Sequence, residues 1–181
     1  MRKIIVVVVV TLLLAGCRSL AGSSRPDPCI FRVHDGGVIC YGMEAAEVEW
    51  VAGKGELASN GEFLMYDHGL AVYYRNNAAS LIYIAEGDYY AHPSGAKIGD
   101  LPDKLREKYG TATIDDKEII GGSLVYVYDR IHNKPLELDD HKNLPIEEPP
   151  AIFPAVGAYL DDNGYIDILT VGDLRAYLTG K

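Results

Sequence analysis

The stretch Gly42-Met43-Glu44-Ala45-Ala46-Glu47-Val48-Glu49-Trp50-Val51-Ala52-Gly53 is echoed 57 residues later by Gly99-Asp100-Leu101-Pro102-Asp103-Lys104-Leu105-Arg106-Glu107-Lys108-Tyr109-Gly110. Both begin and end in glycine at the same spacing, and both hold an aliphatic side chain at the same interior position, Val48 and Leu105. Each reads as a helix of two to three turns. Asp100 suits an N-cap, Pro102 is tolerated in a first turn, and Gly53 and Gly110 supply the left-handed residue that ends a helix. Strand signals follow each copy, at 62–66, 70–75 and 80–85 after the first and at 124–129, 155–160 and 165–171 after the second. Turns are marked by Asp67-His68-Gly69, Asn76-Asn77 and Asp161-Asp162-Asn163-Gly164. The copies converge again where residues 80–87 match 165–172, each ending in glycine. The second copy is longer by about 28 residues. The surplus, 130–154, carries Pro135, Pro145, Pro149, Pro150 and Pro154 with a run of acids, and it reads as a long loop of the kind that is either functional or disordered.

This pattern predicts an α+β protein of two tandem units, each a short helix plus an antiparallel sheet, at 29–98 and 99–181, the second holding the insertion 130–154. The Gly-Met-x-x-x-x-Val-x-x-x-x-Gly string, with three antiparallel strands and an Asn-Gly type turn before the last, resembles the small outer-membrane lipoproteins of the SmpA/OmlA (BamE-like) class. The doubled version resembles the β-lactamase inhibitory protein family, a tandem of the same helix-plus-sheet unit. The resemblance covers 38–172, although neither copy has the Gly-x-Pro that often follows the helix in these families and the second lacks the Met. It implies a non-enzymatic module that binds other proteins, in envelope assembly for the first family or as an inhibitor of a secreted hydrolase for the second.

The start of the chain agrees with that location. Arg2 and Lys3 precede an uncharged apolar run at 4–14, and Leu14-Ala15-Gly16-Cys17 follows at once. The run is too short to cross about 30 Å of hydrocarbon, which takes ~20 residues. It reads as a lipoprotein signal peptide, 1–16, with Cys17 as the site of lipid attachment. Acyl chains on Cys17 would anchor firmly, at ~0.8 kcal/mol for each buried CH₂. Arg18, and not Asp, follows the cysteine, which points to the periplasmic face of the outer membrane; a Gram-positive surface is the other location the segment allows. Residues 17–28 are small, polar and Pro-containing, and read as a flexible tether. The domain beyond is an acidic globule: the chain has 48% hydrophobic residues and 26 carboxylates against 17 Lys and Arg, net charge −9. That balance lacks the basic patch that nucleic acid requires.

With Cys17 acylated, Cys29 and Cys40 remain, and outside the cytoplasm they are expected to form one disulfide. A turn centred on Asp35-Gly36 would set Cys40 opposite Phe31, so the bridge needs a bulge, a frayed strand end or a longer loop. A metal pair with His34 between the thiols is the alternative, which lacks a second ligand pair at metal spacing. The five histidines, at 34, 68, 92, 132 and 141, read as surface or turn residues. Asp139-Asp140-His141 could meet a cation only if consecutive loop residues converged on it. The segment 161–167 has the middle of a calcium loop but Tyr159 and Thr170 where the terminal ligands belong, so a hairpin turn explains it better. No Gly-x-Ser-x-Gly, Ser-x-x-Lys or free thiol supplies a nucleophile. No enzyme, no cofactor, no metal and no small-molecule substrate is therefore predicted.

Tyrosine stands out, with 13 in the chain against 3 Phe and 1 Trp. Tyr73-Tyr74 and Tyr89-Tyr90 are adjacent pairs, and strand alternation sends one of each pair outward, where tyrosine is a preferred recognition residue. The predicted protein-binding residues are thus Tyr73, Tyr74, Tyr89 and Tyr90, with the insertion as a candidate source of specificity. The expected partners are the membrane, through the lipid, and another envelope protein.

Overall fold

The computed structural model describes residues 25, 27–117, 121–136 and 152–179. The signal peptide, Cys17, most of the tether and the central part of the insertion lie outside the described residues. The elements run β1 Cys29–Arg32, β2 Val38–Cys40, α1 Ala45–Ala52, β3 Glu56–Leu57, β4 Phe63–Met65, β5 Leu70–Arg75, β6 Ala78–Ile84, β7 Tyr90–Ala91, α2 Asp103–Tyr109, β8 Ile114–Asp116, β9 Ser123–Asp129, β10 Lys134–Pro135, β11 Pro154–Leu160, β12 Ile166–Asp173 and α3 Leu174–Thr179. Nine strands form one antiparallel sheet in the order β10-β9-β11-β12-β6-β5-β4-β3, with β8 also paired to β9. A second, three-stranded sheet has the order β2-β1-β7.

This corrects the expected fold of two tandem helix-plus-sheet units. The described residues are 41% strand and 15% helix, a sheet-rich protein with three short helices. The physical reason is the pairing of β6 with β12, from Leu81↔Gly172 to Ile84↔Leu169, which joins the strands of both copies into one hydrogen-bonded ladder. Two separate units would each have left that edge unpaired. The helices are too short to form a layer of their own: α1 buries only Val48 and α2 only Leu105 and Tyr109. The matched glycines at the ends of the copies also differ in role. Gly87 has φ 63° in a turn, whereas Gly172 lies inside β12, where a Cβ would come within 2.6 Å of the Ser80 carbonyl oxygen.

The helix ends follow the chemistry of their caps. Gly53 and Gly110 close α1 and α2 at φ 87° and 77°, a backbone state that favours glycine. At the start of α1, Glu44 and Glu47 form a reciprocal capping box. Asp100 does not cap α2, which begins after Pro102; its carboxylate instead accepts from the Lys97 N–H at 3.1 Å and from Lys104 at 2.8 Å.

The large sheet has two unlike faces. On the first, Leu64, Val72, Ile82, Val171, Val156 and Tyr126 stand in register across β4, β5, β6, β12, β11 and β9. They enter the main core with Ile30 and Ile39 of the small sheet, Val48 of α1, and Leu105 and Tyr109 of α2. The small sheet is stapled by the Cys29–Cys40 disulfide, across directly paired residues with Cα atoms 4.0 Å apart. The longer-loop solution is the one adopted: the Arg32 N–H donates to the Gly37 carbonyl, leaving four residues in the turn, with Gly36 at φ 75°. The ends of the insertion are structured too. Lys134 and Pro135 pair with Asp129 and Tyr128 at the sheet edge, where a proline costs no ladder bond to a further strand.

Candidate protein-binding face

The second face of the large sheet changes character along its width. One register row reads Phe63, Tyr73, Leu81, Gly172, Ala155, Val127, and the next reads Met65, Ala71, Tyr83, Thr170, Gly157, Val125. The β9–β12 half is built of small side chains, and α3 lies over it. Leu174 joins Val125, Val127, Phe153 and Ala155 in a second core. Gly157 leaves room for the Tyr177 ring, which a Cβ there would meet at 2.7 Å, and the Tyr177 and Thr170 hydroxyls are hydrogen-bonded. Burial pushes the Tyr177 phenol well above its ordinary range.

Toward β4 and β5 the face carries aromatic rings, and among the described residues α3 reaches it at β6. Phe63 meets Tyr73 at a centroid distance of 5.7 Å and Tyr83 edge-on at 5.4 Å. All three are half-buried, and Met65 beside them is exposed. Tyr159, half-buried on β11, lies near enough to Tyr83 to affect its phenol, which desolvation, reinforced by Tyr159, pushes up to about 12. The Tyr83 and Tyr159 phenols, both raised by burial, stay neutral at physiological pH, so the face offers apolar rings with hydroxyl tips.

The sequence-predicted tyrosines divide. Tyr73 belongs to this cluster. Tyr74 lies on the opposite face, where its hydroxyl meets that of Tyr66 at 2.8 Å and its ring packs on the core; burial raises its pKa steeply. Strand alternation thus sends Tyr73 outward and Tyr74 inward, and the register shift beside them leaves Ser80 of β6 as the extra residue. Tyr90 is 1% exposed, a core residue. Tyr89 stacks on His68 at 3.7 Å, faces His34 at 5.2 Å and meets Tyr90 edge-on at 5.0 Å, a small second cluster away from the sheet face. Phe63 and Tyr83 were not singled out from the sequence. Their signal was there, in Phe63 at the start of one strand and in the Leu81/Tyr83 alternation of another, but only the register places them beside Tyr73.

The polar groups elsewhere show local structural roles. His132 Nδ1 lies 2.5 Å from Asp129 Oδ2, while Asp129 Oδ1 accepts the N–H groups of Ile131 and His132, which fixes the turn after β9. Burial works upward on the Asp129 carboxyl, but these bonds outweigh it and hold it below the usual range. Asp161 Oδ1 accepts from the N–H of Asn163 and Tyr165, both at 2.9 Å, closing the β11–β12 hairpin. His92 is no surface residue: it is 0% exposed, and burial lowers its pKa to about 4. Among the described residues no three His, Cys, Asp or Glu side chains converge as metal ligands, and no helix is long and apolar enough to cross a membrane. His141 and the pair Asp139-Asp140 lie outside the described residues. No family model, curated protein or solved structure matches this chain.

Proposed function

We propose that this chain is a lipid-anchored protein of the bacterial cell envelope that acts as a non-enzymatic protein-binding or scaffolding module, held at the periplasmic face of the outer membrane by acyl chains on Cys17. The location rests on the Leu14-Ala15-Gly16-Cys17 sequence after its short apolar run. The binding role rests on one observation: α3 covers the β9–β12 side of this sheet face and reaches β6, and beside it Phe63, Tyr73 and Tyr83 form an interlocked, half-exposed aromatic cluster. Such rings contribute large contact area at low conformational cost, because packing on the sheet already fixes their rotamers.

Cross-linking in the intact envelope, followed by capture of this chain, tests the reading. Tyr73→Ala and Tyr83→Ala should each weaken capture of the same partner by about 1–2 kcal/mol, the usual range for interface aromatics, or roughly 5- to 30-fold. Equal capture by both variants would remove this face from consideration. Capture of a secreted hydrolase whose activity falls on binding would assign the inhibitor role in place of scaffolding.

A further inference from the structure

The one tryptophan of the chain, Trp50, is 91% exposed on α1. The helix explains why it cannot turn inward. Successive residues rotate by about 100°, so Val48, Val51 and Ala52 share the face that packs on the core, and Ala46 and Trp50 define the opposite ridge. Glu47 and Glu49 flank that ridge on either side. The helix is held in place by Val48, 0% exposed, and by the Arg32 guanidinium, which reaches from the disulfide-stapled hairpin to donate to the Val51 carbonyl at 2.5 Å. The indole therefore stands on a fixed base and keeps a large apolar surface in water.

Its surroundings say what would cover it. Glu44, Glu47, Glu49 and Glu56, all exposed, carry four negative charges at the N-cap of α1, on the helix and on the strand after it, against Lys54 and the Arg32 guanidinium, which Asp35 already neutralises. Apolar side chains on the adjoining strands are also open: Leu57 of β3 is 67% exposed, and Val38 of β2 is 46% exposed. A membrane surface rich in anionic lipid would be repelled by the glutamates. An apolar pocket rimmed by lysine and arginine on another protein satisfies both features, since the indole would fill the pocket and the glutamates would meet the rim.

We infer that α1 is a second docking surface, in which Trp50 anchors this chain to a partner protein bearing an apolar pocket with a basic rim. The surface lies on the side of the large sheet opposite the Phe63–Tyr73–Tyr83 face, so the chain can hold two partners at once.

The test places the photoreactive residue p-benzoylphenylalanine at position 50 of the full chain in its own envelope, with position 73 as a parallel probe. Since Trp50 is almost wholly exposed, the replacement leaves the core untouched. The expected result is a discrete protein adduct at position 50, mapping to an apolar site flanked by Lys or Arg. In Glu49→Lys/Glu56→Lys its yield should fall at least fivefold, while adducts at position 73 persist. Adducts with lipid only, no adduct, a partner site lacking basic residues, or a yield indifferent to the charge reversal would each overturn the inference. The aromatic sheet face is judged separately, because loss of adducts at position 73 alone counts against that face and leaves the α1 surface standing.

Discussion

His92 carries a proton-linked stability term that can be read from its bonds. The Ser94 N–H donates to Nδ1 at 3.1 Å, so Nε2 carries the hydrogen and donates to the Asp27 carbonyl at 3.1 Å, with the Tyr109 hydroxyl 3.2 Å away. The Ser94 hydroxyl also lies 3.0 Å from Nδ1, but burial disfavours the charged ring and lowers the pKa to about 4 from 6.5. A histidine whose folded pKa is depressed costs nothing above its unfolded value. As pH falls through that value the unfolded chain takes the proton and the folded one does not. Stability should therefore decline from about pH 6.5 to about pH 4 by roughly 3 kcal/mol, at about 1.4 kcal/mol per pH unit. Urea midpoints measured across this range should show the decline, and His92→Gln, less stable at neutral pH, should flatten it. Asp129 has the opposite linkage. Its lowered pKa stabilises the fold above its unfolded value near 3.8 and is lost only as pH falls below it, so the two contributions occupy separate windows. The sequence offered no sign that His92 differs from the turn histidines His34 and His68, because burial depends on what α2 and the N-terminal segment lay over it.

At the scale of elements, the hairpin and α3 each rest on one local device. The disulfide closes a loop of separation 11 and ties the small sheet that caps the main core. Replacing Cys29 and Cys40 together by Ala should cost about 3 kcal/mol through the restored freedom of the unfolded chain. Unfolding free energies of wild type from denaturant titrations in oxidising and reducing buffer should differ by the same amount. The α3 contact depends on missing side chains in the strands beneath it. Gly157→Ala sets a Cβ against the Tyr177 ring at 2.7 Å, which α3 can relieve by shifting, whereas Gly172→Ala meets the Ser80 carbonyl at 2.6 Å inside the sheet. The first should cost about 1–3 kcal/mol and the second more, because overpacking against fixed backbone cannot relax. Thermal melts that rank the two variants the other way would refute this account of the covered half. Strands 70–75 and 124–129 were legible from alternation and β-branched content; α3 was not, since Leu174–Thr179 is too short to show a helical period.

At the scale of the whole molecule, the β6–β12 pairing makes one cooperative sheet out of two similar stretches of sequence. Native-state hydrogen exchange should give the same opening free energy for amides in β5 and β6 as for those in β9, β11 and β12; two distinct plateaus would show that the halves unfold separately. The proposed anchoring through Cys17 has a test of its own. Replacing Cys17 by Ser should abolish incorporation of radiolabelled fatty acid and release the chain from the membrane fraction.

The sequence by itself determined what is local: two glycine-terminated helices, the strands that alternate, the Cys29–Cys40 pair, and an acidic composition. It also suggested tyrosines as contact residues, because that follows from their number. Which tyrosines are available was decided by tertiary structure, for alternation puts Tyr73 and Tyr74 on opposite faces of β5 and only the packing of the sheet settles which of those faces is the core. The same holds for the architecture. Edge pairing between β6 and β12 is a long-range hydrogen-bonded contact, and its energy depends on residues as far apart as Leu81 and Gly172 meeting in register. A repeat in the sequence marks similar elements but carries no information on whether their sheets close separately or merge.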